Sequence, residues 1–288
     1  MKLCLFDAWR IGIVIDQHVV DVTEVFQGVA RPAWPYPLSD QVIRHFPELR
    51  DKISAAAESG QRVPLSSIRL RAPVANPGKI IGAPINYRDH IDEANADAQI
   101  NHGKTYTELD NFGLFLKAGS SLIGCSEDIV LPFPDRRTDH EVELAVVIGQ
   151  QGRGVRREEA LDYVFGYCIG LDMTVRGPEF PGFRKSADTF AVLGPWIVTA
   201  DEIADPHALD LSIRVNGELR QQSNTRYLIY DVQRLIEYAS AMYTLYPGDV
   251  IMTGTPAGVS PVTWGDVLEA TVEGVGSMTV RVAQRGTA

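Results

Sequence analysis

Short apolar runs broken by turn residues dominate this chain, and long helical stripes are few. Ile11-Gly12-Ile13-Val14-Ile15, then Asp16-Gln17, then His18-Val19-Val20-Asp21-Val22 is the pattern of a β-hairpin. Three prolines within 31–37 predict a loop, and a helix is expected over Ser39–Ala57 with Gly60 beyond its end. Asn76-Pro77-Gly78 then leads into a strand at Lys79–Gly82, which places a domain boundary near residue 73. Residues 1–72 read as a small N-terminal α+β domain and 73–288 as a larger, β-rich one. In the larger part, Glu141–Gly149 and Gly166–Thr174 read as buried strands, and Asp249–Thr253, Val267–Val272 and Ser277–Val282 as further strands. The clearest helix is 228–243, where Leu228, Val232, Leu235, Ile236, Ala239 and Met242 form one apolar stripe. Closely spaced strands with few helices favour an α+β fold over alternating βαβ units. Residues 86–111 are polar with little apolar periodicity, and so long a weakly patterned stretch is usually functional or mobile.

With 288 residues, 45% of them hydrophobic, the chain can bury a sizeable core. Its net charge, 27 − 37 = −10, argues against a nucleic-acid partner and suits a soluble cytoplasmic protein. No apolar stretch approaches the roughly 20 residues of a membrane span, and Met1–Asp7 lacks the features of a signal peptide. Cys4, Cys125 and Cys168 are odd in number and far apart, so each is expected as a small buried hydrophobe.

Against this background Asp139-His140-Glu141-Val142-Glu143-Leu144 stands out. On a strand Glu141 and Glu143 share one face, with His140 on the other as a packed or surface side chain. Burying two like charges is costly unless something cancels them, and a hard divalent cation would do so. On an exposed strand edge the same pair would simply be two solvated charges. Asp172, closing the second apolar strand, would complete a three-carboxylate site suited to Mg²⁺ or Mn²⁺, with Ca²⁺ a further option. His90 and Glu93, at i,i+3 if 86–94 is helical, pair an imidazole with a carboxylate, as a general base toward water requires, or form a solvated helix face. Arg176 and Lys185 bring positive charge close by, for a substrate carboxylate, a developing enolate or a surface ion pair. The loop after Pro247–Thr253, Gly254-Thr255-Pro256-Ala257-Gly258, can aim backbone N–H groups at an anion or serve as a tight turn.

Taken together and in this order, the blocks Lys79–Glu93, Asp139–Gly149, Gly166–Arg176, Lys185–Trp196, Val215–Glu218 and Tyr246–Val259 resemble the fumarylacetoacetate hydrolase family over about 79–282. The resemblance implies a mixed β-roll in the C-terminal domain, a homodimer, and a metal held by Glu141, Glu143 and Asp172. It further implies a water-activating dyad of His90 and Glu93 on a lid at about 86–111, and Lys185 close to the substrate enolate. Tyr87, Arg176, Gly254 and Thr255 fall to substrate binding. The activity implied is hydrolytic cleavage of a C–C bond in an acylpyruvate-type 1,3-diketo acid through a metal-bound enolate. Oxaloacetate decarboxylation and isomerisation of a 2-hydroxy-dienedioate are alternatives at the same site, and a metal-stabilised binding protein without turnover is an alternative of another class. One departure bears on the substrate. Glu179 stands where many members carry a glutamine that touches substrate, and an acid there would repel a substrate carboxylate unless it points away.

Overall fold

The computed structural model describes residues 1–29 and 36–284, so most of the proline-rich loop expected at 31–37 lies outside the described residues. The expected hairpin forms from Arg10–Ile15 and His18–Asp21, its turn containing Asp16 with φ of 53°. The strands Val142–Ile148 and Val164–Asp172 are buried at every position and pair antiparallel, with Glu143 opposite Gly170. They lie at the centre of an 11-stranded sheet. On one side come Ala191–Thr199, Lys2–Phe6 and the hairpin; on the other come Val250–Met252, Ile80–Gly82 and Phe115–Lys117. Ile80–Gly82 pairs parallel to Val250–Met252, and Leu122–Gly124 parallel to Ala191–Thr199, so the sheet is mixed. The N-terminal strands enter this sheet through the pairing of Lys2–Phe6 with Ala191–Thr199.

Alternation along Val142–Ile148 divides the core. Leu144, Val146 and Ile148 pack toward a second, five-stranded sheet that contains Leu211, Val272 and Val280. Ala145 and Val147 pack on the opposite face with Leu3, Leu5 and the helix residues Ile43, Phe46 and Ile53. That helix, Gln41–Ser59, starts where the carboxylate of Asp40 accepts the N–H groups of Val42 and Ile43 at 3.0 and 3.1 Å.

The stripe expected over 228–243 is shorter as a helix, Val232–Met242, because Asp231 caps it and residues 225–227 form a tighter turn before it. Val232, Leu235, Ile236 and Ala239 are buried, whereas Met242 in the last turn is 70% exposed. A helix also forms within the weakly patterned stretch, at Arg88–Ala96. Its buried positions are His90, Ile91 and Ala94, so a histidine takes a core position and blurs the apolar period. A small three-stranded sheet, Thr174–Val175, Thr138–His140 and Ser260–Pro261, gathers the segments around residues 139–143, 172–176 and 254–260 at one end of the central strands. Cys4 and Cys168 are buried, Cys125 is partly so, and all three are free.

Candidate active site

Two adjacent strands supply the acidic residues. The Asp172 N–H donates to the Glu141 carbonyl at 2.9 Å, fixing the end of Val164–Asp172 beside the start of Val142–Ile148. Glu141, Glu143 and Asp172 are all buried, and carboxylate oxygens from the three lie within 4.8 Å of one another. Lys185, just after the short helix Pro181–Arg184, reaches in from the side. Its ammonium donates to Glu141 Oε2 at 2.6 Å, Asp172 Oδ2 at 2.6 Å and Thr174 Oγ1 at 2.7 Å. A second ammonium, from Lys117 at the sheet edge, donates to Asp172 Oδ1 and to the Lys185 carbonyl. Lys117 was not anticipated from the sequence. Its one local signal is a lysine closing the apolar run Leu114-Phe115-Leu116, and its partners lie 55 and 68 residues away.

Electrostatics separate the two glutamates. Burial and then the charge of Asp172 push the Glu143 carboxyl well up. Glu141 is equally buried, but Lys185 and Arg176 outweigh burial and hold its carboxyl below the ordinary range. Burial also opposes the charge of both lysines. Asp172 and Glu141 overcome it at Lys185, whose pKa is raised, whereas Lys117, with Lys185 as a like-charged neighbour, stays lowered. Among the described residues Glu143 has no ion-pair partner, and its carboxylate accepts the Gly254 N–H at 2.7 Å. Three converging carboxylates, one of them without a counter-ion, form the all-oxygen donor set that hard divalent cations take, so the residues fit such an ion.

The other predicted residues surround this cluster. His90 Nδ1 lies 2.9 Å from Glu93 Oε2, and Glu93 Oε1 accepts the Gly258 N–H at 2.9 Å, tying the imidazole to the Gly/Thr/Pro loop. Among the described residues the hydroxyl of buried Tyr87 has no hydrogen-bond partner, and burial followed by the charge of Glu143 raises its pKa. Arg176 is turned inward: Nε donates to Asp139 at 2.8 Å and Nη2 to Glu141 at 2.9 Å. The Thr255 hydroxyl donates to the Val142 carbonyl at 2.8 Å and accepts from Gln221 at 2.7 Å. Gly254 has φ of +97°, and a side chain there would put its Cβ 2.6 Å from that of Asn86. His140 packs on the opposite face, between Gln221 at 3.0 Å and Ser260 at 2.8 Å. Glu179 is clasped by the Arg136 guanidinium through bonds of 3.0 and 2.8 Å, so its charge is neutralised on the protein side.

A cleft of about 460 Å³ leads to Lys185. Tyr106, Phe112, Phe115 and Phe180 give it aromatic walls, and Lys104 and Arg184 also line it. Tyr106 comes from the predicted lid stretch and Phe112 follows directly after it; their rings are 5.3 Å apart, and Asn95 bonds both the N–H and the carbonyl of Tyr106 at 2.8 Å.

Comparison with known proteins places this arrangement. The family model for the fumarylacetoacetate (FAA) hydrolase C-terminal region matches residues 79–283. A maleylpyruvate hydrolase of Aquipseudomonas alcaligenes is 51% identical over 284 residues, covering 98% of this chain and 99% of that protein. A 2,4-didehydro-3-deoxy-L-rhamnonate hydrolase of Sphingomonas sp. (strain SKA58) is 38% identical, over 83% of this chain and 86% of that one. A crystal structure of maleylpyruvate hydrolase from Sphingobium sp. SYK-6, in complex with manganese(II) and pyruvate, superposes with a TM-score of 0.85 at 43% identity, covering 99% of each chain.

Proposed function

This chain belongs to the fumarylacetoacetate hydrolase family, and on that premise we propose that it is a divalent-metal-dependent hydrolase that cleaves an acylpyruvate into pyruvate and the acid of its acyl group. The observation that carries this reading is the convergence of three buried carboxylates beside Lys185, a residue that also lines an aromatic-walled cleft. Glu141, Glu143 and Asp172 would hold Mg²⁺ or Mn²⁺, with Ca²⁺ a further option, and the manganese(II) in the Sphingobium homologue supports the choice of ion. Bound there, the ion would supply Lewis acidity toward the keto-acid end of the substrate.

The remaining work falls to the chain's own groups. Glu93 fixes the His90 ring through Nδ1, which leaves Nε2 to take a proton from water. The water oxygen adds to the carbonyl of the acyl group. The bond from that carbon to the methylene then breaks, and its electron pair passes into the enolate of pyruvate. Lys185, whose three N–H groups already hold Glu141, Asp172 and Thr174, stabilises that enolate through its nearby positive charge, and protonation at carbon completes pyruvate. Arg176 and the Gly254 N–H act on the carboxylates they hold, aiming Glu141 and Glu143 before substrate arrives. Tyr87, with its unpartnered hydroxyl, and Thr255 complete the polar lining offered to substrate. In this reading residues 1–72 are a supporting domain, 73–288 the catalytic one, and 86–111 its lid.

A histidine held by a carboxylate favours hydrolysis over decarboxylation at the same site, because decarboxylation needs no activated water. His90→Ala should therefore lower hydrolysis by about 10²- to 10⁴-fold, the usual contribution of a general base. Pyruvate release from a panel of acylpyruvates, with oxaloacetate and dienedioates alongside, measures this; near-full hydrolysis by the variant would overturn the assignment. We further propose that the protein works in catabolism in the cytoplasm as a homodimer. The acidic composition and the family support this, and light scattering on the purified protein tests the dimer. Among the described residues no helix is long and apolar enough to cross a membrane.

A further inference from the structure

Arg136 and Arg137 precede the short strand Thr138–His140, and their side chains part. Arg136 takes Glu179, whereas Arg137 turns toward the lid stretch. Arg137 Nη1 donates to Asp97 Oδ2 at 2.7 Å and to Gln99 Oε1 at 3.3 Å, and its Nε donates to Asp139 Oδ1 at 2.8 Å. The other oxygen of Asp139 accepts Arg176 Nε at 2.8 Å, and Arg176 Nη2 reaches Glu141 Oε1 at 2.9 Å. Asp97, Arg137, Asp139, Arg176 and Glu141 thus form an unbroken row of alternating charge that ends on a carboxylate of the acidic cluster.

Asp97 is the joint between two helices of the lid stretch. Its N–H closes the helix Arg88–Ala96 by donating to the Glu93 carbonyl at 3.0 Å, and its Oδ1 accepts the Gln99 N–H at 2.8 Å, capping the next helix, Ala98–Asn101. His90 and Glu93 lie on the first of these helices. Among the described residues Asp97–Arg137 is the one ion pair that joins residues 86–111 to the rest of the protein. At the middle of the row Asp139 is fully buried, and each of its oxygens is taken by a guanidinium. The backbone keeps the two arginines in register, because the Arg176 N–H donates to the Arg137 carbonyl at 2.8 Å. An exposed ion pair alone contributes little. Here Nε and Nη1 of one rigid guanidinium serve two carboxylates, one of them buried, so the pair restrains direction as well as distance.

We propose that Arg137 is a positioning residue that latches the lid to the acidic cluster, holding the helix that carries His90 in a set place relative to Glu141. It acts through Asp97 at one end and through Asp139 and Arg176 at the other. This rests on His90 being the base assigned above, whereas the latch itself is read without turnover.

Two variants cut the latch from either side. Arg137→Met removes the guanidinium, and Asp97→Asn removes only the charge on the lid, because asparagine caps a helix as well as aspartate does. Amide hydrogen exchange on the full chain without divalent ions gives the direct readout. Both variants should speed exchange of the 88–101 amides by about fivefold or more and leave those of Val142–Ile148 unchanged. With an acylpyruvate that the parent hydrolyses, kcat should fall by roughly 10- to 100-fold in each variant, the scale of a catalytic group displaced by about an ångström. The double variant should be no slower than Arg137→Met alone, since both substitutions break the same link. Lid exchange within about twofold of the parent's in both variants would overturn the proposal, as would faster exchange with kcat unchanged, or losses that multiply in the double variant. If the parent hydrolysed no acylpyruvate, the reading of its activity would fall, while faster lid exchange in both variants would still support the latch.

Discussion

At the scale of single residues, the site is a balance of buried charge. Glu141, Glu143 and Asp172 lie buried with Lys117, Lys185 and Arg176, so each charge depends on its partners more than a surface charge does. Lys117 is the buried charge that sequence periodicity did not reveal. It bonds Asp172 and the carbonyl of Lys185 together, and so holds two parts of the site in register. Lys117→Met keeps the stem of the side chain and removes its charge. We expect a loss of about 3–5 kcal/mol, as when one partner of a buried pair is deleted. Urea denaturation of parent and variant without divalent ions would measure it, and a difference under about 1 kcal/mol would show that Lys185 alone suffices for Asp172.

At the scale of elements, most of the regular structure follows from local signals, and its ends follow from side chains that cap or interrupt. Val267–Val272 appears where its alternation predicts it, and the hairpin needs only Asp16-Gln17 between two apolar runs. The helix Gln41–Ser59 depends on Asp40, which is buried beneath its first turn and also held by the backbone of Ala75 and Asn76. Asp40→Ala should cost about 1–2 kcal/mol, the upper part of the range for a lost cap, read as a lower melting temperature with activity retained. An unchanged melting temperature would mean that packing of Ile43, Phe46 and Ile53 alone sets the start of the helix. The helix Arg88–Ala96 escaped the apolar pattern for a physical reason, since its buried face is built around the imidazole of His90, held by Glu93.

For the molecule as a whole, bound ions and folding are linked. A cation that binds only the folded carboxylate cluster stabilises the protein by an amount that grows with its concentration, about 2.7 kcal/mol at one hundred times its dissociation constant. Chelation should therefore lower the melting temperature, Mg²⁺ or Mn²⁺ should restore it in a concentration-dependent way, and Glu143→Gln should blunt the response. Scanning calorimetry with and without chelator decides the matter, and a melting temperature indifferent to both would remove the ion from this cluster.

Much of this architecture was legible in the sequence. Glu143 lies on the strand Val142–Ile148 and Glu141 in the one-residue break before it, and their carboxylates converge as a two-residue repeat predicts, while His140 packs between Gln221 and Ser260. The blocks from Lys79 to Val259 pointed to the family that the comparisons show. The decisions left to tertiary structure all concern pairs distant in the chain. Lys117 meets Asp172, Arg136 disarms Glu179, and the N-terminal strand extends the central sheet. Local periodicity reports which face a side chain takes, because that depends on its immediate neighbours. Whether a charge on that face finds a partner depends on which strand folds against it, and only the assembled sheet determines that.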